Sequence, residues 1–552
     1  MRCALISFNC RYSHSCLSLF YLRNELERHA PAMEISLHQF TINDPYFATL
    51  QRIIGLKADV YFLSVYIWNA ELVARIITDL ATVRPETMIV LGGPQAAAME
   101  QDRLPPKTTV VYGEIEAIDR RFYADLADAT LAARYQSGRA GLFPSPYRPE
   151  DFRDHLANRA VYYESSRGCP FSCSYCISAR ESGIRTKDDE MVRQELLALL
   201  SHSPGTVRFV DRTFNASPSR SLAIWQFLLE QRPVGTLFHF EIAPDLFTEE
   251  MFALLQQVPA GLFQFEIGIQ STHPPTLSAI NRKSDISASL AVIRRLAALD
   301  TIHLHVDLIL GLPYETKESF SRSFNDVFAV GPHYIQMGLL KVLPHTPLRD
   351  QANEFGLVYR RTPPYEILAT AWLPQAELAE LFWFGECVEA FANNRYFRSF
   401  FACIRQRGEN GFAFFMRLLS LCRQEDFFQR AKTQELLSSL LLSAITDHPH
   451  RHVLTELLLF DWLRSGHRFL PPHLNPNLLN AEKNRLWRTL PQDLPPCYQR
   501  ATRNEFFKKA IFVRFSQETL QQLDLEGGEG ILCFLPERER GVAGLVQTVR
   551  IA

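Results

Sequence analysis

The strongest constraint on the fold of this chain is the regular alternation of strand-like and helix-like segments over residues 1–127. The predicted strands are short, nearly continuous apolar runs at 3–9, 33–40, 60–66, 87–93 and 108–113. Between them lie segments such as 70–83, whose apolar residues recur at helical spacing. Apolar strands alternating with helices predict a parallel, doubly wound, flavodoxin-like α/β sheet.

A second unit, over residues 155–355, repeats the same rhythm. Its predicted strands lie at 160–166, 206–211, 236–244, 262–271, 302–313 and 334–344. Six strand–helix units are too few for a closed eight-stranded barrel, so the sequence predicts a partial (β/α)6 barrel of the TIM type.

These patterns divide the chain into three predicted domains. The first covers residues 1–135, and a linker at 136–154, rich in Gly, Pro and Ser, joins it to the barrel at 155–355. Residues 356–552 are predicted to form a mainly helical C-terminal domain that ends in β-like segments.

Composition excludes several classes of protein. The chain has 552 residues, and a formal net charge of −2 gives no electrostatic footprint for bulk nucleic-acid binding. No apolar run is long enough to span a membrane, and the N-terminus turns polar too early for a signal peptide. Eleven cysteines without a secretion signal predict reduced thiols in the cytoplasm.

Three of these cysteines, Cys169, Cys173 and Cys176, follow the first strand of the barrel within one short loop. Three thiolates can hold three corners of a cubane iron–sulfur cluster and leave the fourth iron open for chemistry. The alternatives are a structural zinc knuckle, a redox pair of Cys173 and Cys176, or coincidence. A zinc site needs a fourth ligand at short range, and the nearest candidate, His202, is remote in the sequence.

The cysteine loop resembles the CxxxCxΦC signature of radical S-adenosylmethionine (SAM) enzymes, where Φ is an aromatic residue, here Tyr175. Three later segments resemble strand motifs of the same superfamily, in the same order. They read "FEIGIQST" (265–272), "HVDLILGLPYET" (305–316) and "LKVLPHTPL" (340–348), where His345 replaces a customary glycine. The resemblance covers about residues 160–350.

This resemblance implies a [4Fe–4S] cluster on the three cysteines, whose open iron binds SAM. One electron, from a donor such as flavodoxin or ferredoxin, then cleaves SAM to a 5′-deoxyadenosyl radical, and the chemistry belongs to the cofactor. The resemblance assigns Tyr175 to the adenine and Asp211 to the methionine amino group, although the usual GGE-like signature is absent there. It assigns Glu241, Glu266 and Gln270 to the ribose and carboxylate. Each of these side chains has the alternative role of an inward-facing polar residue that fills the barrel. No residue is assignable as catalytic.

The first domain resembles the cobalamin-binding domain that precedes the radical core in one large subclass. "GGPQ" (92–95) and "GEIE" (113–116) stand where these proteins carry GGPE and GEGE, and "FLSVYIWN" (62–69) matches a strand whose serine faces the nucleotide tail. The resemblance implies cobalamin binding by Ser64, Gly92, Gly93, Pro94, Gly113 and Glu114.

The first domain also departs from the cobalamin-binding pattern. The DxHxxG motif, whose histidine binds cobalt from below, is missing, and the corresponding loop reads "NCRYSHSCLSL". His14 lies in that loop without the motif's context, so no protein histidine is predicted below the cobalt. Trp68 is a candidate cover for this face, and its alternative is a core tryptophan.

Together these features predict a cobalamin-type radical SAM enzyme that methylates an unactivated carbon of a small molecule or peptide. One alternative is a radical enzyme for rearrangement, oxidation or cyclisation with a degenerate N-terminal domain. Another is a non-catalytic iron–sulfur binding or sensor protein. Residues 356–552 resemble a domain of unknown function found on some cobalamin-type radical enzymes.

Overall fold

The computed structural model describes residues 1–99, 104–180, 183–467, 469–474, 510–525, 528, 530–538 and 546–550. Within these residues, no helix combines the length and the apolar character needed to cross a bilayer.

The N-terminal unit is a six-stranded parallel sheet with strand order β2-β1-β3-β4-β5-β6. Two separate hydrophobic clusters cover its two faces, as expected for a doubly wound fold. Its strands are β1 (Arg2–Asn9), β2 (Glu34–Thr41), β3 (Val60–Ser64), β4 (Met88–Gly92), β5 (Thr108–Tyr112) and β6 (Arg134–Gln136). Its helices are α1 (Leu17–His29), α2 (Tyr46–Gly55), α3 (Ala70–Val83) and α4 (Arg120–Ala127).

The five predicted strands of this unit are confirmed, and the sheet adds β6, which crosses the predicted boundary at residue 135 by one residue. Because β2 and β3 lie on opposite sides of β1, the order in which successive strands are added to the sheet reverses at β1. A crevice at the carboxyl ends of the strands is expected at such a switch point, and it is where doubly wound folds bind ligands.

The central unit is a six-stranded parallel sheet of order β14-β13-β12-β11-β10-β7, which confirms the partial barrel. After α5 (Pro149–Asp154) in the linker, its strands are β7 (Val161–Tyr163), β10 (Thr206–Phe209), β11 (Leu237–Ile242), β12 (Phe263–Gln270), β13 (His303–Leu310) and β14 (Tyr334–Leu339). Its helices are α6 (Asp189–Leu200), α7 (Pro218–Gln231), α8 (Glu249–Leu255), α9 (Pro274–Ala279), α10 (Ile286–Leu299), α11 (Lys317–Val330) and α12 (Pro347–Asp350).

One antiparallel hairpin in the barrel was not predicted. The strand expected at 160–166 divides into β7 and a second strand, β8 (Ser166–Gly168), which pairs with β9 (Ile184–Thr186). The three cysteines lie in the loop between β8 and β9. The loop is therefore anchored at both ends by its own small sheet.

The C-terminal region is mainly helical, as predicted, and shares one hydrophobic core with the barrel. Phe324 of α11 packs edge-on against Phe384 and Phe415 of two C-terminal helices. Its elements are β15 (Val358–Tyr359), β16 (Ile367–Ala369), α13 (Gln375–Val388), α14 (Arg398–Gln406), α15 (Gly411–Gln424), α16 (Gln434–Ala444), α17 (Arg451–Arg464), β17 (Ile511–Phe515), α18 (Gln517–Gln522), β18 (Gly530–Arg538) and β19 (Val546–Arg550). Part of the predicted β-like end, at 544–545 and 551–552, lies outside the described residues.

Candidate active site

The three thiols lie on the loop between β8 and β9, close enough for Cys169 and Cys176 to act electrostatically on Cys173. Cys173 is buried, whereas Cys169 and Cys176 are half-buried. Burial raises the pKa of the Cys173 thiol, and charges on Cys176 and Cys169 add to that increase. Among the described residues, no three His, Cys, Asp or Glu side chains converge closely enough to hold a single metal ion. A donor set of three thiols on one loop fits a cluster of several irons.

Arg282, in the turn that follows α9, approaches the cluster loop. Its Nη1 lies 3.7 Å from Cys173 Sγ, and its Nη2 donates to the carbonyl of Gly268 at the end of β12. The neighbouring Asn281 amide donates to the carbonyl of Ser172 at 2.9 Å. This guanidinium stands beside the thiols although it is 109 positions away from Cys173 in the chain, and the sequence reasoning missed it.

Asp211, assigned by resemblance to the methionine amino group, follows β10 and contacts the residues that begin the cluster hairpin. Its carboxylate accepts hydrogen bonds from Ser165 N (3.0 Å), Ser165 Oγ (2.6 Å) and Ser166 Oγ (2.6 Å). The side chain is 1% exposed, and burial raises its pKa. The structure therefore gives Asp211 a role in shaping the loop, and the predicted contact with SAM remains a prediction.

The predicted residues Glu241 and Glu266 lie side by side on β11 and β12, in direct register. Burial raises the pKa of Glu241 to about 7, with Arg212 opposing the shift and Glu266 adding to it. A hydrogen bond with His239, at 3.0 Å, lowers the pKa of Glu266. Arg208 lies 3.7 Å from the same carboxylate. The pKa values of these two neighbouring carboxylates therefore shift in opposite directions, because Glu266 has His239 as a close partner and Glu241 is dominated by burial.

Two buried oxygens near the ends of adjacent strands have no hydrogen-bond partner. They are Oε1 of Gln270 on β12 and Oδ1 of Asp307 on β13. Gln270 has a φ of 70° and follows a β-bulge, a strained geometry that is enriched at functional sites. Unpaired buried acceptors favour a ligand that brings donors, such as the hydroxyl and amino groups of SAM. Asp307 lies in the motif at 305–316, and sequence reasoning did not select it.

Tyr175, assigned by resemblance to the adenine, is half-buried beside Cys173 and packs against the barrel core. Burial raises the pKa of its hydroxyl, and Arg282 opposes that shift. The aromatic residue of the cluster loop therefore lies between the thiols and the barrel core.

The predicted cobalamin residues lie at the carboxyl edge of the N-terminal sheet. Ser64, at the end of β3, is buried, with its Oγ 3.4 Å from the Cys16 thiol. A Cβ on Gly92 would meet open space, whereas one on Gly93, with a φ of +106°, would lie 2.7 Å from the carbonyl of Val65. Gly92 thus leaves room for a ligand. Gly93 allows the segments that follow β3 and β4 to lie close together. Pro94 is exposed beside them.

The remaining two predicted cobalamin residues contact protein. A Cβ on Gly113, with a φ of +89°, would lie 2.7 Å from the carbonyl of Ser137 in the linker. The Glu114 carboxylate accepts hydrogen bonds from Arg167 and Arg185. Cofactor binding by Gly113 and Glu114 remains a prediction.

His14 and Trp68 flank the same edge. His14 Nδ1 lies 2.7 Å from the hydroxyl of Tyr162 on β7, so the imidazole is docked on the barrel. Trp68 is 44% exposed, and its ring stacks on Tyr66 with centroids 4.5 Å apart. Trp68 is therefore exposed beside the carboxyl ends of β1 and β3 and is not a core tryptophan, whereas Tyr66 beneath it is half-buried.

Three family models match successive parts of the chain. A B12 binding domain matches residues 6–122, the radical SAM superfamily matches 163–327, and a protein of unknown function (DUF4080) matches 353–532. A radical SAM domain implies a [4Fe–4S] cluster and SAM, and a B12 binding domain implies cobalamin. The three matches follow the order of the three predicted domains.

Two curated methyltransferases are similar to the chain. The 2-(S-pantetheinyl)-carbapenam-3-carboxylate methyltransferase of Streptantibioticus cattleyicolor is 26% identical over 420 residues, which cover 65% of this chain and 61% of that protein. The cobalamin-dependent radical SAM methyltransferase TokK of Streptomyces tokunonensis is 26% identical over 416 residues, covering 65% and 60%. The chain thus matches about three fifths of the length of these relatives.

Solved structures show the same fold. The cobalamin-dependent SAM radical enzyme OxsB with aqua-cobalamin bound has a TM-score of 0.57 at 15% identity, covering 83% of this chain and 80% of that one. The radical SAM methyltransferase TsrM of Kitasatospora setae has a TM-score of 0.52 at 15% identity, covering 67% and 80%. Residues 163–327 thus match the radical SAM superfamily, and the region before them, residues 6–122, matches a B12 binding domain.

Proposed function

We propose that the chain is a cobalamin-dependent radical SAM methyltransferase that methylates an unactivated carbon of a small molecule or peptide. The observation that carries this proposal is the contact between its two cofactor regions. Arg167, two residues before the first cluster cysteine, donates a 2.9 Å hydrogen bond to Glu114 in the loop that follows β5. A loop suited to an iron–sulfur cluster therefore adjoins a sheet edge suited to cobalamin. The names of the two curated relatives, both methyltransferases, support the same class of reaction.

The side chains of the site have separate tasks in this proposal. When bound, the cluster and SAM supply a radical that removes hydrogen from the substrate, and cobalamin supplies the methyl group. Cys169, Cys173 and Cys176 hold the cluster, and the unpaired oxygens of Gln270 and Asp307 accept hydrogen bonds from SAM. The open space at Gly92 admits cobalamin to the edge of the N-terminal sheet.

The cellular setting follows from the same chemistry. Reductive cleavage of SAM needs a one-electron donor of low potential, and a flavodoxin or ferredoxin meets that need. Thiol ligands must stay reduced to hold iron, which favours the cytoplasm over an oxidising compartment.

Anaerobic reconstitution tests the proposal. The protein should bind about four irons per chain through the three-cysteine loop. With SAM and a reductant it should release 5′-deoxyadenosine, from radical formation, and S-adenosylhomocysteine, from methyl transfer. Replacing all three cysteines with alanine should abolish iron binding and 5′-deoxyadenosine.

The outcomes separate the competing functions. Release of 5′-deoxyadenosine without S-adenosylhomocysteine would favour the rearrangement, oxidation or cyclisation alternative. Iron binding without either product would favour a sensor. Full iron content in the triple cysteine variant would refute the cluster assignment.

A further inference from the structure

The hairpin that carries the cluster loop places two arginines opposite each other. Arg167 on β8 pairs in register with Arg185 on β9. The strands are tightly apposed, because a Cβ on Gly168 would lie only 2.2 Å from the carbonyl of Gly183. Directly opposed residues of an antiparallel pair lie on the same face, where like charges are destabilising. The hairpin therefore needs a counter-charge to hold its shape.

Glu114 of the N-terminal domain supplies that charge. Its Oε2 accepts hydrogen bonds from Arg167 Nη1 (2.9 Å) and Arg185 Nη1 (3.1 Å), and its Oε1 accepts one from Arg185 Nη2. The backbone N–H of Ala140 in the linker donates to the same carboxylate at 2.8 Å. Burial alone would raise the pKa of Glu114, but the bonds from Arg185 and Ala140 and the charge of Arg167 lower it overall.

Arg167 is also held from its other side. Its Nη2 donates to Glu116 at 2.7 Å and to Glu164 at 2.8 Å, and the guanidinium lies 4.5 Å from the ring centroid of Phe143. The Arg167 side chain is 12% exposed and that of Glu114 is 17% exposed, so water screens their ion pair only partly. Surface ion pairs contribute little, but breaking a buried one by removing a single partner is strongly destabilising.

We propose that Glu114 is a positioning residue that locks the cluster hairpin onto the cobalamin-binding domain and so fixes the separation between cluster and cobalt. This inference rests on the proposed function. Glu114 follows Gly113 at the carboxyl end of β5, the edge where cobalamin would bind, and Arg167 is two residues before Cys169. Glu114 binds both arginines of the hairpin, whereas Glu116 of the same domain binds Arg167 alone.

The test compares reconstituted full-length wild type with Glu114→Gln. A matched control is Glu34→Gln, at an exposed glutamate that starts β2 at the opposite end of the sheet. Hydrogen exchange of the amides at 184–187 and 137–140 should be about tenfold faster or more in Glu114→Gln and unchanged in the control. Glu114→Asp, with a shorter carboxylate, should give an intermediate rate.

A second measurement reads the geometry itself. Pulsed electron paramagnetic resonance of the reduced cluster and cobalt(II) should give one narrow distance distribution in wild type and a broader one in Glu114→Gln. Iron content should be equal in both proteins, which excludes global misfolding.

The outcomes also separate this inference from the proposed function. If wild type retains no cobalamin, the proposed function fails, while the exchange measurement still decides the role of Glu114 in the hairpin. Loss of cobalamin in Glu114→Gln with unchanged hydrogen exchange would make Glu114 a cofactor ligand and overturn the positioning role. A distance distribution as narrow as that of wild type would overturn it as well.

Discussion

The Ser165 hydroxyl donates a 2.6 Å hydrogen bond to the Asp211 carboxylate, and the Ser165 backbone N–H donates another of 3.0 Å. Ser166 adds a third bond to the same buried group. These bonds connect the loop after β10 to the residues that begin the cluster hairpin. Asp211 therefore contributes to the shape of the loop before any ligand arrives.

Asp211→Ala should weaken the fold around the cluster loop. It leaves two hydroxyls and one N–H without an acceptor, and each unpaired buried group costs about 1–3 kcal/mol. We expect a lower Tm and a lower iron content after anaerobic reconstitution. Asp128→Ala, at an exposed aspartate after α4, is the control. Normal Tm and iron with weaker SAM binding would instead support the contact with the methionine amino group.

Arg282 should tune the cluster electrostatically. Its guanidinium, 3.7 Å from Cys173 Sγ, favours the more negative, reduced state of a cluster on that thiol. Arg282→Gln should therefore lower the reduction potential, on the order of 100 mV for a charge about 5 Å away at an effective dielectric constant near 20. Arg282→Lys keeps the charge and should shift it less. Redox titration followed by electron paramagnetic resonance measures both, and equal potentials in all three proteins would contradict this prediction.

There is a physical reason why some strands could be predicted from the sequence and others could not. Most strands of the N-terminal sheet and the barrel could be predicted because they are apolar runs long enough to carry their own signal. The three-residue strands β8 and β9 carry no such signal, and Arg167 of β8 contacts Glu114 in another domain. Local pattern therefore predicted the scaffold but not the hairpin.

The same reason explains which site residues were found. The cysteines lie within one loop, so their spacing is visible in the sequence. Arg282 reaches the site only through the packing of distant strands and helices, and no local pattern marks it. Asp307 lies within the motif at 305–316, but its unpaired oxygen is visible only in the structure. Asp211 was selected by resemblance, but its bonds to Ser165 and Ser166 are tertiary contacts that no local pattern shows.

SAM binding should tighten as pH rises through about 7 if Glu241 accepts hydrogen bonds from the ribose. Burial raises the pKa of Glu241 to about 7, and an ionised carboxylate binds a cationic ligand better than a neutral acid does. Affinity should increase by up to about tenfold from pH 6 to pH 8 and then level off, since ten times less of the ionised form exists one unit below the pKa. Calorimetry on the reconstituted protein measures this, and Glu241→Gln should show a flat profile. A steep profile in the variant would assign the titration to another group.

Glu315 should make stability depend on pH. This fully buried carboxyl has one partner, the Ser271 hydroxyl at 2.6 Å, and burial raises its pKa to about 8. An acid whose pKa is raised by folding stabilises the protein below its unfolded pKa, and that stability is lost as pH rises through the folded pKa. We expect Tm to fall between about pH 5 and 8.5 in wild type and to fall less in Glu315→Gln, which keeps an acceptor for Ser271. Parallel curves for the two proteins would exclude this carboxyl as the cause.

The lower face of the cobalt should have no protein nitrogen ligand. The loop that follows β1 lacks the DxHxxG motif, and its one histidine, His14, is engaged elsewhere. Its Nδ1 lies 2.7 Å from the Tyr162 hydroxyl, and its carbonyl accepts a 2.7 Å hydrogen bond from Arg159 Nη1. The β1–α1 loop is thereby docked on β7 of the barrel. The electron paramagnetic resonance spectrum of the cobalt(II) form should show no nitrogen splitting, and His14→Ala should leave the spectrum unchanged. Splitting that disappears in His14→Ala would contradict this assignment.

Trp68 is the side chain we expect to cover that face instead. Its indole N–H is fixed by a 3.2 Å hydrogen bond to the carbonyl of Phe8, at the end of β1, and its ring lies within 6° of parallel to Tyr66. The exposed Trp68 ring offers a flat, apolar surface at this edge of the sheet, which would cover the lower face of a bound cobalamin. Trp68→His would place an imidazole at the same point, so its cobalt(II) spectrum should gain nitrogen splitting that wild type lacks. Trp68→Phe is the matched control, since it keeps the apolar cover without a nitrogen, and its spectrum should resemble that of wild type. A Trp68→His spectrum without splitting, in protein that still binds cobalamin, would place Trp68 away from the cobalt.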